Sequence, residues 1–318
     1  MLLLLLHITG NAAFALLVRT ARSHRFDYAA VGLTNYATAA VISATALALA
    51  RPPSLDAAAA FWGTVNGLQY QTTYLLMYVL IGLAGIAVTT SFLRLSVAVP
   101  VLASIAIWQE WPRPAQALGL LLAAAALPLL GSTAQRGALA APSGAGHRHA
   151  SPIAAGVLIA ATILISGSGQ LAAKAFAELH RPEQRPVYVF AVYAAATLLS
   201  IVTWPWRARL QGPRAPGPRS TARGSGQRNR PFARGRLGRA GASVLLGTVI
   251  GAVNVGQIWV LLPALAQVPG VIAFPLAAAG GLTLTALGGR LLWREPLGGR
   301  TGAGIALAIL AAALVNAG

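Results

Sequence analysis

Long apolar runs alternate with short polar breaks from one end of this chain to the other. Ten runs stand out: 1–18, 28–50, 58–83, 86–108, 115–131, 153–176, 187–206, 241–264, 270–292 and 301–317. A helix of ~20 mostly apolar residues crosses a bilayer. In lipid each span must satisfy its own backbone polar groups. The pattern therefore predicts an all-α integral membrane protein of ten transmembrane helices. The opening Met1–Leu6 is apolar, but it lacks the positive region of a signal peptide, and His7, Thr9 and Asn11 interrupt it. Residues 1–18 are read as the first span.

The pattern repeats. From Gly85 an apolar run leads to Trp108-Gln109-Glu110-Trp111-Pro112, and from Gly270 another leads to Trp293-Arg294-Glu295-Pro296. Gly63-Thr-Val-Asn-Gly67 is echoed by Gly247-Thr-Val-Ile-Gly251 in similar register. Gly10-Asn11 in the first span is matched by Gly169-Gln170 in the sixth, and Tyr36 in the second by Tyr193 in the seventh. Such self-similarity predicts an internal duplication, with 1–131 as the first five-helix repeat, 132–152 as linker and 153–318 as the second. Five is odd, so the second copy must lie upside down relative to the first. Inverted repeats of this kind place a substrate path between the halves, near the bilayer midplane.

Polar side chains inside the spans mark that path. Asn66, Tyr70 and Thr73 share one helical face, with Gln69 beside them, and Asn254 and Gln257 follow i, i+3 spacing. Amides facing lipid are costly, so these faces point inward, as substrate contacts or as bonds between helices. With Asn11, Tyr36, Gln170 and Tyr193 they form the candidate path; His7 is expected nearer the interface. Arg94 falls eight residues into the fourth span, ~12 Å along its axis, and its repeat partner is Ala279. A charge so deep should face a wet cavity and attract a carboxylate or phosphate. Lys174, the single lysine, is either a matching centre or extends to the interface. Glu110 and Glu295 end their spans, as gate ion pairs with Arg113 or Arg300, or as interface markers with the next Pro stopping the helix.

Composition narrows the choices. Hydrophobic residues make up 56% and charged residues 9%, which excludes a soluble fold. The net charge of +18 is uneven: ten arginines lie between Arg207 and Arg239 without an acid. This loop, 207–240, is expected at anionic lipid headgroups and not on nucleic acid. The absence of cysteine removes disulfides and thiolate metal sites. No carboxylate lies mid-span, and no catalytic cluster or phosphate-binding loop with its Lys is present, so an enzyme, a cofactor and a carboxylate proton relay are not expected. His147 and His149 read as a solvated pair in a loop.

The Gly-Asn of the first span, the two apolar runs ending in Trp-x-Glu and Pro, and Gly119 and Gly304 in the following helices resemble the drug/metabolite transporter superfamily, in its EamA-like ten-helix branch. In that pattern a Gly usually precedes the Glu; here Gln109 and Arg294 stand there. The resemblance implies a multi-pass protein of the cell (plasma or inner) membrane. It would carry amino acids, other small metabolites or drugs by alternating access, often outward. The alternative is a membrane protein that binds without transport, using its Arg-rich loop at anionic lipid. Loops after odd-numbered spans hold 17 basic residues and loops after even-numbered spans 4. By the positive-inside rule both termini face outside.

Overall fold

The computed structural model describes residues 1–24, 26–50, 55–139, 152–205, 236–294 and 298–317; within its helices the side chains of Arg22, Tyr28, Tyr78, 81–92, Arg94, 131–139, 152–155, 236–237, Arg239 and 316–317 lie outside that description. Among the described residues the chain is all-helical. Its helices are α1 (Leu2–Ser23), α2 (Tyr28–Ala50), α3 (Ala57–Leu95), α4 (Ala98–Trp108), α5 (Pro114–Leu139), α6 (Pro152–Ala177), α7 (Arg185–Val202), α8 (Arg236–Leu265), α9 (Gly270–Trp293) and α10 (Gly299–Ala317). A 3₁₀ turn, Pro182–Gln184, leads into α7. Among the described residues six helices are long and apolar enough to cross a membrane: α1, α2, α6, α7, α8 and α9. Leu5, Val41, Leu121, Leu198 and Leu291 are among the large apolar side chains left exposed on the helix surfaces, as lipid solvation would favour.

The third and fourth spans differ from expectation. The helix does not end at 84–85; it runs to Leu95, and the interruption falls at Ser96–Val97. Pro100 supplies the reason: it has no N–H for the Ser96 carbonyl, and its ring crowds that carbonyl. The Ser96 hydroxyl turns back to the Leu93 carbonyl at 2.6 Å. A straight 39-residue helix would be ~58 Å long. α3 is not straight. Gly169 of α6 faces Asn66 and Gln69, while Gly167, two residues earlier, faces Ser96 and Val99. Residues 69 and 96 therefore flank one level of α6, although straight helix would hold them ~40 Å apart. The chain turns back within α3, and its second leg continues through α4. Arg94, two residues before Ser96, lies on that return leg near the middle of α6.

Other boundaries move less. α5 continues to Leu139, beyond the expected start of the linker at 132, and α8 begins at Arg236, inside the stretch read as loop 207–240. The rest of that Arg-rich loop, His147, His149 and Glu295 lie outside the described residues.

Glycines set the closest packing. Gly63 and Gly67 of α3 press on the carbonyls of Tyr188 and Val192 in α7; Gly247 and Gly251 of α8 press on those of Val31 and Asn35 in α2. Gly119 of α5 meets Ala311 and Val315 of α10, and Gly304 of α10 meets Leu129 and Leu130 of α5. In lipid, which supplies no hydrophobic force between helices, such close backbone approach would be what binds them. The main core lies between α3, α6, α7, α8 and α9, around Phe176, Tyr188, Tyr193, Leu262 and Phe274.

Candidate functional site

Two groups of polar side chains stand out in the interior. The first is aromatic and amide-rich. Tyr188 and Tyr193 of α7 are fully buried, and Tyr36 and Tyr70 pack against the same core. The Tyr193 phenol lies within electrostatic reach of Tyr36, Tyr70 and Tyr188. Asn66 donates to the Tyr188 hydroxyl at 2.7 Å, and Gln69 donates to the Thr73 hydroxyl at 2.9 Å. Gly169 of α6 leaves room for both amides. Tyr188 is held from its other side by Phe176, stacked at 4.5 Å. The Tyr193 hydroxyl is buried with no hydrogen-bond partner among the described residues. A buried hydroxyl without a partner is costly, and here it sits among three other phenols.

Not every expected path residue joins this group. Asn254 of α8 pairs with Asn35 of α2 at 3.4 Å, so it bonds helix to helix. Gln257 lies along Gly10 of α1, and its carbonyl meets Nδ1 of His7 at 3.1 Å. Asn11 packs against Gly281 of α9. Gln170 is half-buried next to Gly169.

The second group is charged and lies where α4 and α6 end and α9 begins. Lys174 is 1% exposed. Its Nζ lies 2.5 Å from Glu110 Oε1 and 2.5 Å from Glu178 Oε1. It also lies over the Trp108 ring, 5.8 Å from the centroid. Two carboxylates at close range hold the Lys174 ammonium within the protein at this end of the bundle. Glu110 reaches further, accepting the Val271 N–H at 3.1 Å. That N–H belongs to the first turn of α9, where the helix dipole favours an anion. Glu110 thus ties α4 to both α6 and α9. A buried pair of this kind persists only when its remaining bonding capacity is used, and the second carboxylate and the Val271 N–H use it.

A related contact stands at the opposite end of the bundle. The Arg19 guanidinium lies 4.5 Å from the centroid of the Trp293 ring. Trp108 and Trp293 each end a helix, and the residue after each, Gln109 or Arg294, has left-handed backbone, φ 55° and 54°. That conformation closes a helix C-terminus and suits Gly, which explains why a Gly would be usual in the Trp-x-Glu pattern.

Spacing made Asn66, Gln69, Tyr70, Thr73 and Tyr193 visible, and it missed Tyr188, Glu178 and Arg19. Glu178 carried a local signal, since it stands four residues after Lys174, where helical side chains meet. Among the described residues, no group of His, Asp or Glu is placed to hold a metal ion.

No family model and no curated protein matches the chain. Its arrangement does occur among solved structures, of which 18 chains match. One crystal structure of a protein aligns over 98% of this chain and 94% of its own, at 18% identity and a TM-score of 0.66. At that identity the likeness is one of fold.

Proposed function

We propose that this chain is a secondary carrier of the cell membrane, built as two inverted five-helix repeats and related to the EamA-like drug/metabolite transporters. The second leg of α3 with α4 would form one traverse, which brings the count to ten. Exchange of equivalent helices supports the repeat. The Gly-x-x-x-Gly of α3 packs on α7 carbonyls as that of α8 packs on α2 carbonyls, and Gly119 and Gly304 trade places in the α5–α10 contact. Trp108 meets a cation from α6, and Trp293 meets one from α1.

The observation that carries the functional reading is the buried Glu110–Lys174 pair. It joins the first half to the second at one end, as Arg19 over Trp293 does at the other. Alternating access requires such a contact between halves to break and re-form while the other end does the reverse. The substrate would be a small polar metabolite, amino-acid-like or an organic anion. The buried phenols and amides would orient it, and Arg94 is the expected source of positive charge.

The test is counterflow in proteoliposomes loaded with amino acids or organic acids. The wild type should exchange a substrate, and Lys174→Ala should abolish exchange at matched reconstitution. Vesicles in which no candidate exchanges, while anionic lipid still binds the protein tightly, would favour the non-transporting reading.

A further inference from the structure

The turn between α6 and α7 holds a pocket of ≈ 270 Å³ that the central site does not use. Phe176, Leu262 and Ala266 form an apolar wall, and His180, Arg181 and Arg185 form a polar rim. Arg181 is committed to Asp56. Arg185 is half-buried and opens α7; its backbone N–H donates to the Pro182 carbonyl, and its guanidinium makes no hydrogen bond or ion pair among the described residues. Of the nearby acids, Glu178 is engaged by Lys174 and Asp56 by Arg181. Glu183 is exposed on the 3₁₀ turn and does not line the pocket. The rim therefore presents one uncommitted guanidinium over an apolar wall, at the first turn of a helix, whose dipole also favours an anion. The Phe176 ring that lines the pocket is the one stacked on Tyr188, so the pocket borders the tyrosine cluster.

We infer that this pocket binds an anionic group, phosphate or carboxylate, carried on an apolar body. Arg185 holds the anion, and Phe176 and Leu262 take the apolar part. The inference rests on the carrier reading only for its use: in a carrier the pocket is an antechamber, separated from the centre by the Phe176–Tyr188 stack. The binding chemistry is independent of transport. One anionic head could belong to a free amphiphile or to a membrane lipid.

The experiment titrates the purified full chain in detergent with hexyl phosphate, following affinity by calorimetry. Wild type should bind it, with hexanol and inorganic phosphate each much weaker, since each lacks half of the recognition. Arg185→Gln should weaken binding about tenfold, the worth of one charge-assisted bond. Arg290→Gln, on the exposed surface of α9, should leave it unchanged. An Arg185→Gln affinity within about twofold of wild type, or hexanol binding as well as hexyl phosphate, overturns the site. Competition by dihexanoyl phosphatidylglycerol, and not by dihexanoyl phosphatidylcholine, assigns the pocket to a lipid head; its absence assigns it to a free amphiphile. Hexyl phosphate binding with no transport of any candidate would sink the carrier and spare the site. Transport with Arg185-independent binding would do the reverse.

Discussion

Gly63 lies against the carbonyl oxygen of Tyr188, and 184 residues later Gly247 lies against the carbonyl oxygen of Val31. Each pair brings two helix backbones together where a methyl group has no room. A Cβ at Gly63 or Gly67 would sit well inside van der Waals contact with backbone, which cannot rotate away as a side chain can. Gly67→Ala and Gly251→Ala should therefore each destabilise the protein by about 1–3 kcal/mol, the usual cost of overpacking. Gly256, with nothing within 4 Å of the added carbon, should gain from the same change, by roughly 0.5–1 kcal/mol of helix propensity. Thermal unfolding in one detergent would rank the three.

These glycines were legible as a repeated spacing, and the interior amides as one helical face. Other features were not. Glu110 and Lys174 are 64 residues apart, and nothing local in either stretch names the other. The turn-back of α3 carries no proline, so an apolar count places it only roughly. Pro100 was visible, but its effect depends on where the helix ladder stands when it arrives. Lys174 near a span end looked free to reach water because one sequence cannot show that two other helices end on top of it.

Lys174 serves two carboxylates, and the more buried of them, Glu110, should dominate. The Glu110 side chain is 15% exposed and that of Glu178 is 30% exposed, so solvent screens the second pair more. Lys174→Ala leaves two carboxylates facing each other and should cost about 3–5 kcal/mol. Glu110→Gln paired with Lys174→Met should recover much of that stability without restoring transport. A double-mutant cycle read by thermal unfolding and by counterflow separates the two effects. Equal transport in the double variant and the wild type would remove the gate from the mechanism.

Tyr193 and Tyr188 offer a sharper contrast. The Tyr193 hydroxyl is buried without a partner among the described residues, so Tyr193→Phe should leave stability unchanged or slightly raised. If that hydroxyl waits for substrate, the same variant should lose affinity about tenfold or more. Tyr188→Phe removes the acceptor of the Asn66 amide and should cost about 1–3 kcal/mol. Transport KM and melting temperature, measured on both, test the pair. An unchanged KM in Tyr193→Phe would take that phenol off the path.

Acid sensitivity should centre on Asp56. Its carboxyl is held below its ordinary value of 3.8, first by the Arg181 hydrogen bond and then by the Ala58 N–H. Because the folded value is depressed, the stabilisation is complete above the ordinary value and is lost as pH falls through the folded one. The chain has only six acidic side chains, so one carboxylate is a large share of the response. Melting temperature followed from about pH 6 to about pH 3 should fall less in Asp56→Asn than in wild type. Parallel curves would mean that the Arg181 contact does not link folding to protons.

Orientation follows from charge and geometry together. On the ten-span reading, loops after the odd-numbered spans carry 17 basic residues against 4 on the other side. Positive residues stay in the cytoplasm when loops are short, so the end holding Arg19 and Trp293 should be cytoplasmic. The opposite end, with Lys174, Asp56 and the Arg185 pocket, should face outward, as should both termini. Carriers of the proposed kind more often keep their termini inside, which would send the ten arginines between 207 and 239 across the membrane in one loop. The absence of native cysteine makes the test clean. Glu183 is exposed on the 3₁₀ turn beside the pocket, so Glu183→Cys gives a single label site at the Lys174 end. A membrane-impermeant maleimide should label it on intact cells, and a reporter active only outside the cytoplasm should work when fused after Gly318. Labelling that needs broken cells, with an inactive C-terminal fusion and an active one inserted near Gly224, would reverse the orientation. It would also place the anion pocket on the cytoplasmic face, where anionic lipid is the more abundant neighbour.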